Sequence, residues 1–533
     1  MLKYSTEILE VTGDSLALEL DLVETLLGVS EEFGAAALGV DPASCTAANG
    51  EVISGDKKIS YKDIIRKGGL TKTYTPDDLA KITFKPAADR KLIGKPVTSL
   101  DIVEKTTGAA IYGIDAKVEG MVYGCPILPP TRNGSQVTYI MDAPAKEIKG
   151  YIQTIALKDP SNTVPGWAMV IADSWHAAKK AAAAVTIEYS PGPTTNVSEK
   201  DLQDHAAKLI LDASKGSVLA TGATDTAPAF KAAKSTIEAT YTTATALHFQ
   251  MEPLNALALQ KDGKWEIHTG NQWQSLVLPW LAKALEVPET NVVMKTYRLG
   301  GGFGRRLNGD YAVGAALAAK AIGKPVKMVM TREDDVKFDS VRSPSVQKLK
   351  MAFDKDGAVT GMEQHVACGW PTEVMAPFFM PKGEKDVPFD PFAISGANHW
   401  YAVGAHKVRA ISNDLANETF RPGWLRSVGP GFTNWALESF MDEAAHKVKA
   451  DPVQFRLNLL RAEGANAGSA PNSVGGASRQ ANVVKLAAEK AGWGQTLPAD
   501  TGLGLATSFG QERNMPTWVA CVARVNVDRA TGR

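Results

Sequence analysis

Gly300-Gly301-Gly302-Phe303-Gly304 runs directly into Arg305-Arg306. Without Cβ atoms in the way, such a loop lets the backbone approach a ligand closely. If a helix follows, free N–H groups at its start suit an anionic or oxo-bearing group. Phe303 is the one large side chain in the run and is expected to face something specific. Two common nucleotide loops are excluded. A P-loop ends in Gly-Lys-Ser/Thr, and here the ending is Gly-Arg-Arg. A dinucleotide fingerprint needs glycines at i, i+2 and i+5, and those third positions are Arg305 or Leu307. A tight strand-to-helix turn without a ligand remains the alternative on glycine content alone.

The elements that must hold this loop are legible around it. Residues 291–299 read as a strand, and the alanine-rich run 311–322 as a helix. Strands over 235–241 and 265–268 and a helix over 275–285 precede them. Further upstream, 111–123 reads as strand, turn, strand. The run 167–172 reads as a buried strand, 174–184 as a helix and 185–189 as a strand, closed by Pro191-Gly192-Pro193. Asn49-Gly50 reads as a hairpin turn. A glycine-rich connection over 464–476 leads to a helix at 481–491 and a strand at 519–527.

Composition bounds the partners. Lys plus Arg and Asp plus Glu both number 58, and this balance argues against nucleic acid. An apolar content of 44% supplies a packed core. Cys45, Cys125, Cys368 and Cys521 form no C-x-x-C pair, so the chain holds no iron–sulfur cluster by itself. The eight histidines are scattered without an H-E-x-x-H, which argues against a metal held by side chains. No run of about 18 apolar residues occurs.

The glycine loop follows His248-Phe249-Gln250-Met251-Glu252-Pro253 and Gly270-Asn271-Gln272-Trp273, and precedes Arg421-Pro422-Gly423-Trp424-Leu425-Arg426-Ser427-Val428-Gly429. In this order and spacing the segments resemble the molybdopterin-binding large subunit of the xanthine oxidase family of molybdenum hydroxylases. The run Thr107-Gly108-Ala109-Ala110-Ile111-Tyr112-Gly113-Ile114-Asp115 resembles the start of that family's a/b hammerhead domain. Within the family the likeness is greatest to the bacterial branch of isoquinoline oxidoreductase β subunits and membrane-bound aldehyde dehydrogenases. Trp273-Gln274-Ser275 and Leu307-Asn308-Gly309-Asp310-Tyr311 carry the aldehyde dehydrogenase likeness.

The resemblance implies an α+β (mixed α/β) fold with four parts. These are a partial N-terminal molybdopterin-binding segment (1–90), a hammerhead domain (95–192), a first molybdopterin-binding domain (225–463) and the start of a second (478–533). It implies molybdopterin cytosine dinucleotide as cofactor, held at Gly301, Gly302, Phe303, Gly304, Arg305 and, in the groove, Gln272. Backbone N–H groups around Phe303 and Gly304 would meet an oxo ligand, and the Phe303 ring would wall the substrate pocket. Arg426 would stabilise charge developing on the substrate oxygen. Each residue has a plainer alternative: Arg426 tied to loop carbonyls, Gln272 capping the helix near Ser275, Arg305 and Arg306 as a solvated pair. His248 and Glu252 are expected to be structural.

The implied reaction is oxidation of an aldehyde to a carboxylic acid with water as oxygen donor; hydroxylation of an isoquinoline-type N-heterocycle is the alternative. A small [2Fe–2S] subunit, and in this branch often a membrane cytochrome c subunit, would take the electrons. Export to the periplasm with membrane association through partners is implied, the cytoplasm being the alternative.

The chain departs from the family at both ends. The glutamate base in a Gly-x-Gly-Glu-like motif has no counterpart here and is expected beyond residue 533. Val11-Thr12-Gly13-Asp14-Ser15 resembles a segment this branch carries well inside its large subunit. Both ends are therefore expected to be missing, and a non-catalytic remnant or assembly module stays open. Ala246, where purine-oxidising members carry glutamine, and Leu307 after Arg306 weaken a purine assignment.

Overall fold

A computed structural model describes residues 29–67, 88, 95–219, 225–461, 476–512 and 515–533. The 11–15 segment and most of the connection expected over 464–476 lie outside these residues. The chain divides into two compact units, 1–110 and 111–533.

In the first unit, helix α1 (Val29–Leu38) packs on an antiparallel sheet of β1 (Thr46–Ala48), β2 (Glu51–Ser54) and β3 (Lys57–Ser60). Asn49 and Gly50 both take positive φ, at 53° and 75°, and close the first hairpin as the Asn-Gly pair requires. Gly34 lets α1 approach Val52, where a Cβ would collide with the valine side chain. Helix α2 (Tyr61–Arg66) follows, capped by the Ser60 hydroxyl.

The second unit is built on two large sheets, and residues 136–141 and 186–190 pair apart from them as a two-stranded sheet. The first strands in chain order are β4 (Val122–Ile127), β5 (Gln136–Met141), β6 (Tyr151–Ala156), β7 (Ala168–Ala172) and, after helix α3 (Trp175–Ala182), β8 (Thr186–Ser190). Of the strand, turn and strand expected over 111–123, the first strand is reduced to one bridge and the second begins only at Val122. Tyr112 makes only a single bridge to Arg298, and residues 113–115 coil into a 3-10 turn before β4 begins. After helix α4 (Glu199–Leu211) come β9 (Ser217–Val218), β10 (Ser235–Thr243), β11 (Asn255–Lys261), β12 (Lys264–Thr269), helix α5 (Gln274–Leu285) and β13 (Val292–Thr296). Helix α6 (Asp310–Ile322), β14 (Val326–Val329), helix α7 (Arg332–Lys337), β15 (Ser345–Phe353), β16 (Val359–Cys368) and β17 (Ala405–Ser412) complete the two sheets.

One sheet has the order β13-β12-β11-β14-β4-β7-β6, so strands from 122–172 and from 255–329 share it. Helix α6 lies on this sheet, with every residue from Asp310 to Ala319 buried. Its alanines make that close approach possible, and Trp167 fills the space beside Gly314. The other sheet has the order β10-β15-β16-β17-β9. Helices α8 (Pro430–Lys447), α9 (Pro452–Leu459) and α10 (Gly476–Lys490) share its core, together with the hairpin of β18 (Thr501–Glu512) and β19 (Met515–Asn526). This mixture of parallel and antiparallel pairing is an α+β architecture. Segments 244–254, 338–344 and 420–429 lie outside the named strands and carry the site.

Candidate functional site

Strand β12 crosses through α5 to its parallel neighbour β13, and the glycine loop leaves the end of β13 toward α6. Glu252 anchors the start of the loop. Its backbone N–H donates to the Gly300 carbonyl at 3.0 Å, and its Oε2 accepts the Gly300 N–H at 2.7 Å. The other oxygen, Oε1, accepts from the Ile114 N–H and from Asn255 Nδ2 at 2.8 and 2.9 Å. Glu252 is thus a structural hub, in line with its expected role.

Arg305 and Arg306 are both fully buried, which removes the solvated-pair alternative. Arg306 donates to the carbonyls of Gly301 and Glu252 and to Glu252 Oε2, each at 2.9 Å. Arg305 makes a fork-to-fork pair with Asp310, at 2.9 and 3.0 Å, and its Nε lies 3.0 Å from Asp339 Oδ1. Arg132 adds a bond to Asp310 at 2.7 Å. A buried ladder results: Arg132, Asp310, Arg305, Asp339 and then His248, whose Nδ1 lies 3.0 Å from both Asp339 oxygens.

Burial alone would raise the Asp310 carboxyl. The charges of Arg305 and Arg132 outweigh it and hold Asp310 well below the usual carboxylate range. Burial opposes Asp339 in the same way, and bonds from His248 with the Arg305 charge hold it low. Arg132, sharing one carboxylate with Arg305, is brought down to about 10 by burial. Asp339 and Arg132 carried no signal in the sequence. Their partners come from distant segments, and single buried charges have no periodicity.

Gln272 does not cap α5. The Trp273 N–H is taken by Asn271 Oδ1 at 2.7 Å, and Gln272 Oε1 instead accepts the Gly304 N–H at 3.0 Å. That bond occupies one of the two N–H groups expected to meet an oxo ligand. The N–H groups of Gly302 and Phe303 have no protein acceptor among the described residues. A Cβ at Gly302 would strike Gln272, and one at Gly304 would strike the Trp424 carbonyl oxygen. The two glycines are therefore required by packing as well as by the Gly304 φ of 106°.

Phe303 is 40% exposed and itself takes a φ of 52°. Its carbonyl accepts the Arg426 N–H at 2.7 Å, and the Arg426 guanidinium lies 5.3 Å from the ring centroid. Arg426 is exposed and has no carboxylate partner among the described residues. Phe249, Arg421, Ser427 and Val428 also take positive φ, between 48° and 68°. For a β-branched valine this is an outlier, and such strain gathers at functional sites. Trp424 stacks near Trp273 at 6.1 Å, and Trp273 near Phe379 at 5.3 Å, forming an aromatic wall beside the loop. No group of three or more metal-binding side chains occurs among the described residues.

Among the described residues, an exposed ring, two N–H groups without an acceptor, a cation without a carboxylate and a close backbone loop fit an oxo-bearing cofactor that brings its own metal. Comparison with known proteins agrees. Residues 210–460, which enclose the loop and Arg426, match the molybdopterin cofactor-binding domain family. The chain carries that domain and is homologous to the molybdenum-binding subunits of the xanthine oxidase family, a class of oxidoreductases. It is 55% identical over 504 residues to the membrane-bound aldehyde dehydrogenase [pyrroloquinoline-quinone] of Gluconacetobacter polyoxogenes, covering 94% of this chain and 65% of that protein. It is 26% identical to the isoquinoline 1-oxidoreductase subunit beta of Brevundimonas diminuta, over 84% of this chain and 55% of that one. The chain thus spans about two thirds of the first relative's length and about half of the second's. The fold matches the aldehyde oxidoreductase of Desulfovibrio desulfuricans ATCC 27774 with a TM-score of 0.60 at 20% identity, covering 84% of this chain and 52% of that one.

Proposed function

We propose that this chain is the molybdopterin-binding large subunit of a molybdenum hydroxylase that oxidises aldehydes to carboxylic acids, water supplying the oxygen. The observation that carries this is the meeting of Phe303 and Arg426 over the glycine loop. The likeness to an aldehyde dehydrogenase at 55% identity supports the substrate class. When bound, the molybdopterin supplies the oxygen-transfer and two-electron chemistry.

The chain's own residues do the rest. The backbone of 301–304 and the Gln272 side chain hold the cofactor, in the cytosine dinucleotide form. Arg305 and Arg306 contribute by bracing the loop from beneath, since their guanidinium groups are committed to internal carboxylates and carbonyls. The Phe303 ring presents a flat apolar surface to the substrate carbon skeleton. Arg426 places a positive charge where negative charge grows on the substrate oxygen. Electrons leave to a small [2Fe–2S] subunit and from there to a membrane cytochrome c, with the assembly on the periplasmic side. The name of the first relative favours a membrane-associated enzyme, and no helix among the described residues is long and apolar enough to cross a bilayer.

That relative's name also specifies pyrroloquinoline quinone, so the cofactor itself is the first thing to test. The full chain, purified with its partners, is analysed for molybdenum, for cytidine released from the pterin, and for quinone. Turnover is then measured with a short-chain aldehyde and with isoquinoline. Molybdenum with aldehyde turnover is expected. Quinone without molybdenum overturns the cofactor assignment. Molybdenum with isoquinoline turnover alone moves the substrate to the N-heterocycle class, which the isoquinoline relative supports. A chain with no cofactor at all is a remnant.

A further inference from the structure

Arg342 lies between α7 and β15, away from every motif that marks the site in the sequence. Its backbone exchanges two hydrogen bonds with Ala246, at 3.1 and 2.9 Å, which ties it to the segment leading into His248. Its side chain crosses to the Arg426 segment. There Nη2 donates to the Leu425 carbonyl at 2.9 Å and to the Arg426 carbonyl at 2.5 Å. Those carbonyls immediately precede Ser427 and Val428, the two residues with positive φ at 68° and 48°. Gly431 is part of the same arrangement, because a Cβ there would collide with the Arg342 guanidinium.

The cation has no carboxylate partner among the described residues, and its Nε is buried without an acceptor. Burial, and then the nearby charge of Arg426, bring the Arg342 guanidinium below its ordinary range. A surface arginine serving only stability would gain by pairing with an acid. This one spends its donors on two carbonyls of a strained loop and tolerates a second cation beside it. Strained backbone persists only where its surroundings over-determine it, and bonds from a charged donor are the stronger kind.

The geometry points to Arg342 as the positioning residue for Arg426: by clamping the Leu425 and Arg426 carbonyls, it holds the Arg426 guanidinium above Phe303. This rests on the aldehyde-oxidation reading for its catalytic consequence, but its structural half stands by itself. Arg342 touches no reacting atom and acts through Arg426.

The test uses the full chain with its partners and the variants Arg342→Lys, Arg342→Gln and Gly431→Ala, together with Arg426→Ala and the Arg342→Gln/Arg426→Ala double variant. Trypsin cleavage after Arg426 reports the loop directly, with cleavage after the exposed Arg529 as internal reference. Release of the clamp should speed cleavage after Arg426 roughly tenfold in Arg342→Gln. Gly431→Ala, which pushes the guanidinium away without removing it, should do the same, and Arg342→Lys should restore part of the protection. In turnover, Arg342→Gln should lower kcat roughly 10- to 100-fold with KM little changed. The double variant should be no slower than Arg426→Ala alone. Unchanged cleavage after Arg426, or losses that multiply in the double variant, overturn the assignment. If wild type oxidises no aldehyde, the functional reading fails while the cleavage pattern still decides the role of Arg342.

Discussion

Phe303 and Arg426 are joined twice: the Arg426 N–H donates to the Phe303 carbonyl at 2.7 Å, and the guanidinium rests 5.3 Å from the ring centroid. The backbone bond fixes where the arginine leaves the chain, and the cation–ring contact fixes where its charge ends. Both residues are exposed, so the pair owes little to core packing. Arg426→Gln keeps hydrogen-bonding capacity and removes the charge. We expect kcat to fall by about 10²–10³, the scale for losing one preorganised stabilising donor, with molybdenum content per chain unchanged. A fall in molybdenum content instead would make Arg426 a cofactor-holding residue.

The glycines of the loop are separable by what surrounds them. Gly304 has a φ of 106° and faces the Trp424 carbonyl, whereas Gly323, at the end of α6, has a φ of 66° and open space around it. Replacement by alanine strains the backbone at both. At Gly323 the cost is that strain alone, about 1 kcal/mol. At Gly304 the loop must also move off Trp424 and release Gln272. We expect Gly304→Ala to yield folded chain depleted of molybdenum, and Gly323→Ala to retain wild-type content. Equal retention in both would show that the loop geometry is not what binds the cofactor.

How much of this the residues announced differs by layer. The strand-glycine-helix frame was readable, because β13 and α6 each carry a local pattern that ends in glycine. The resemblance assigned the loop and Arg426 to one cofactor, and the fold sets Arg426 beside Phe303. A turn within 111–123 was readable, but the reduction of the strand before it to one bridge was not: residues 113–115 already turn because Asp115 captures the Tyr112 N–H and Glu252 captures the Ile114 N–H. The second contact comes from a residue far along the chain, and no local window contains it. The same holds for Asp339 and Arg342, whose roles exist only once distant segments meet.

The buried ladder beneath the loop should be a strong determinant of stability. Asp310 has buried partners in Arg305 and Arg132, and removing its charge leaves two guanidinium groups without it. Asp310→Asn should cost about 3–5 kcal/mol, read from the denaturant midpoint. Asp310 and Asp339 both titrate lower in the folded chain than in the unfolded one. Their stabilisation is therefore complete above the unfolded carboxylate range near pH 4 and is lost as pH falls below it. Asp310→Asn should flatten stability across that acid window. A cost below about 1 kcal/mol would place the ladder among surface-like pairs.

His399 gives a second, milder acid response. It is fully buried, both ring nitrogens lack a hydrogen-bond partner among the described residues, and its ring lies 4.6 Å from that of His406. Burial first, and the neighbouring imidazole second, hold its titration well below the ordinary histidine range. The unfolded chain then binds a proton near pH 6.5 that the folded chain refuses. Stability is unaffected above that pH and declines below it by about 1.4 kcal/mol per pH unit, until the folded imidazole also charges. His399→Phe keeps an aromatic ring of similar shape and cannot protonate. Its denaturation midpoint should change less than that of wild type between pH 7 and 5, with the two chains close at pH 8. Parallel declines in both would assign the loss to other groups and show that His399 takes up its proton in the folded chain much as in the unfolded one.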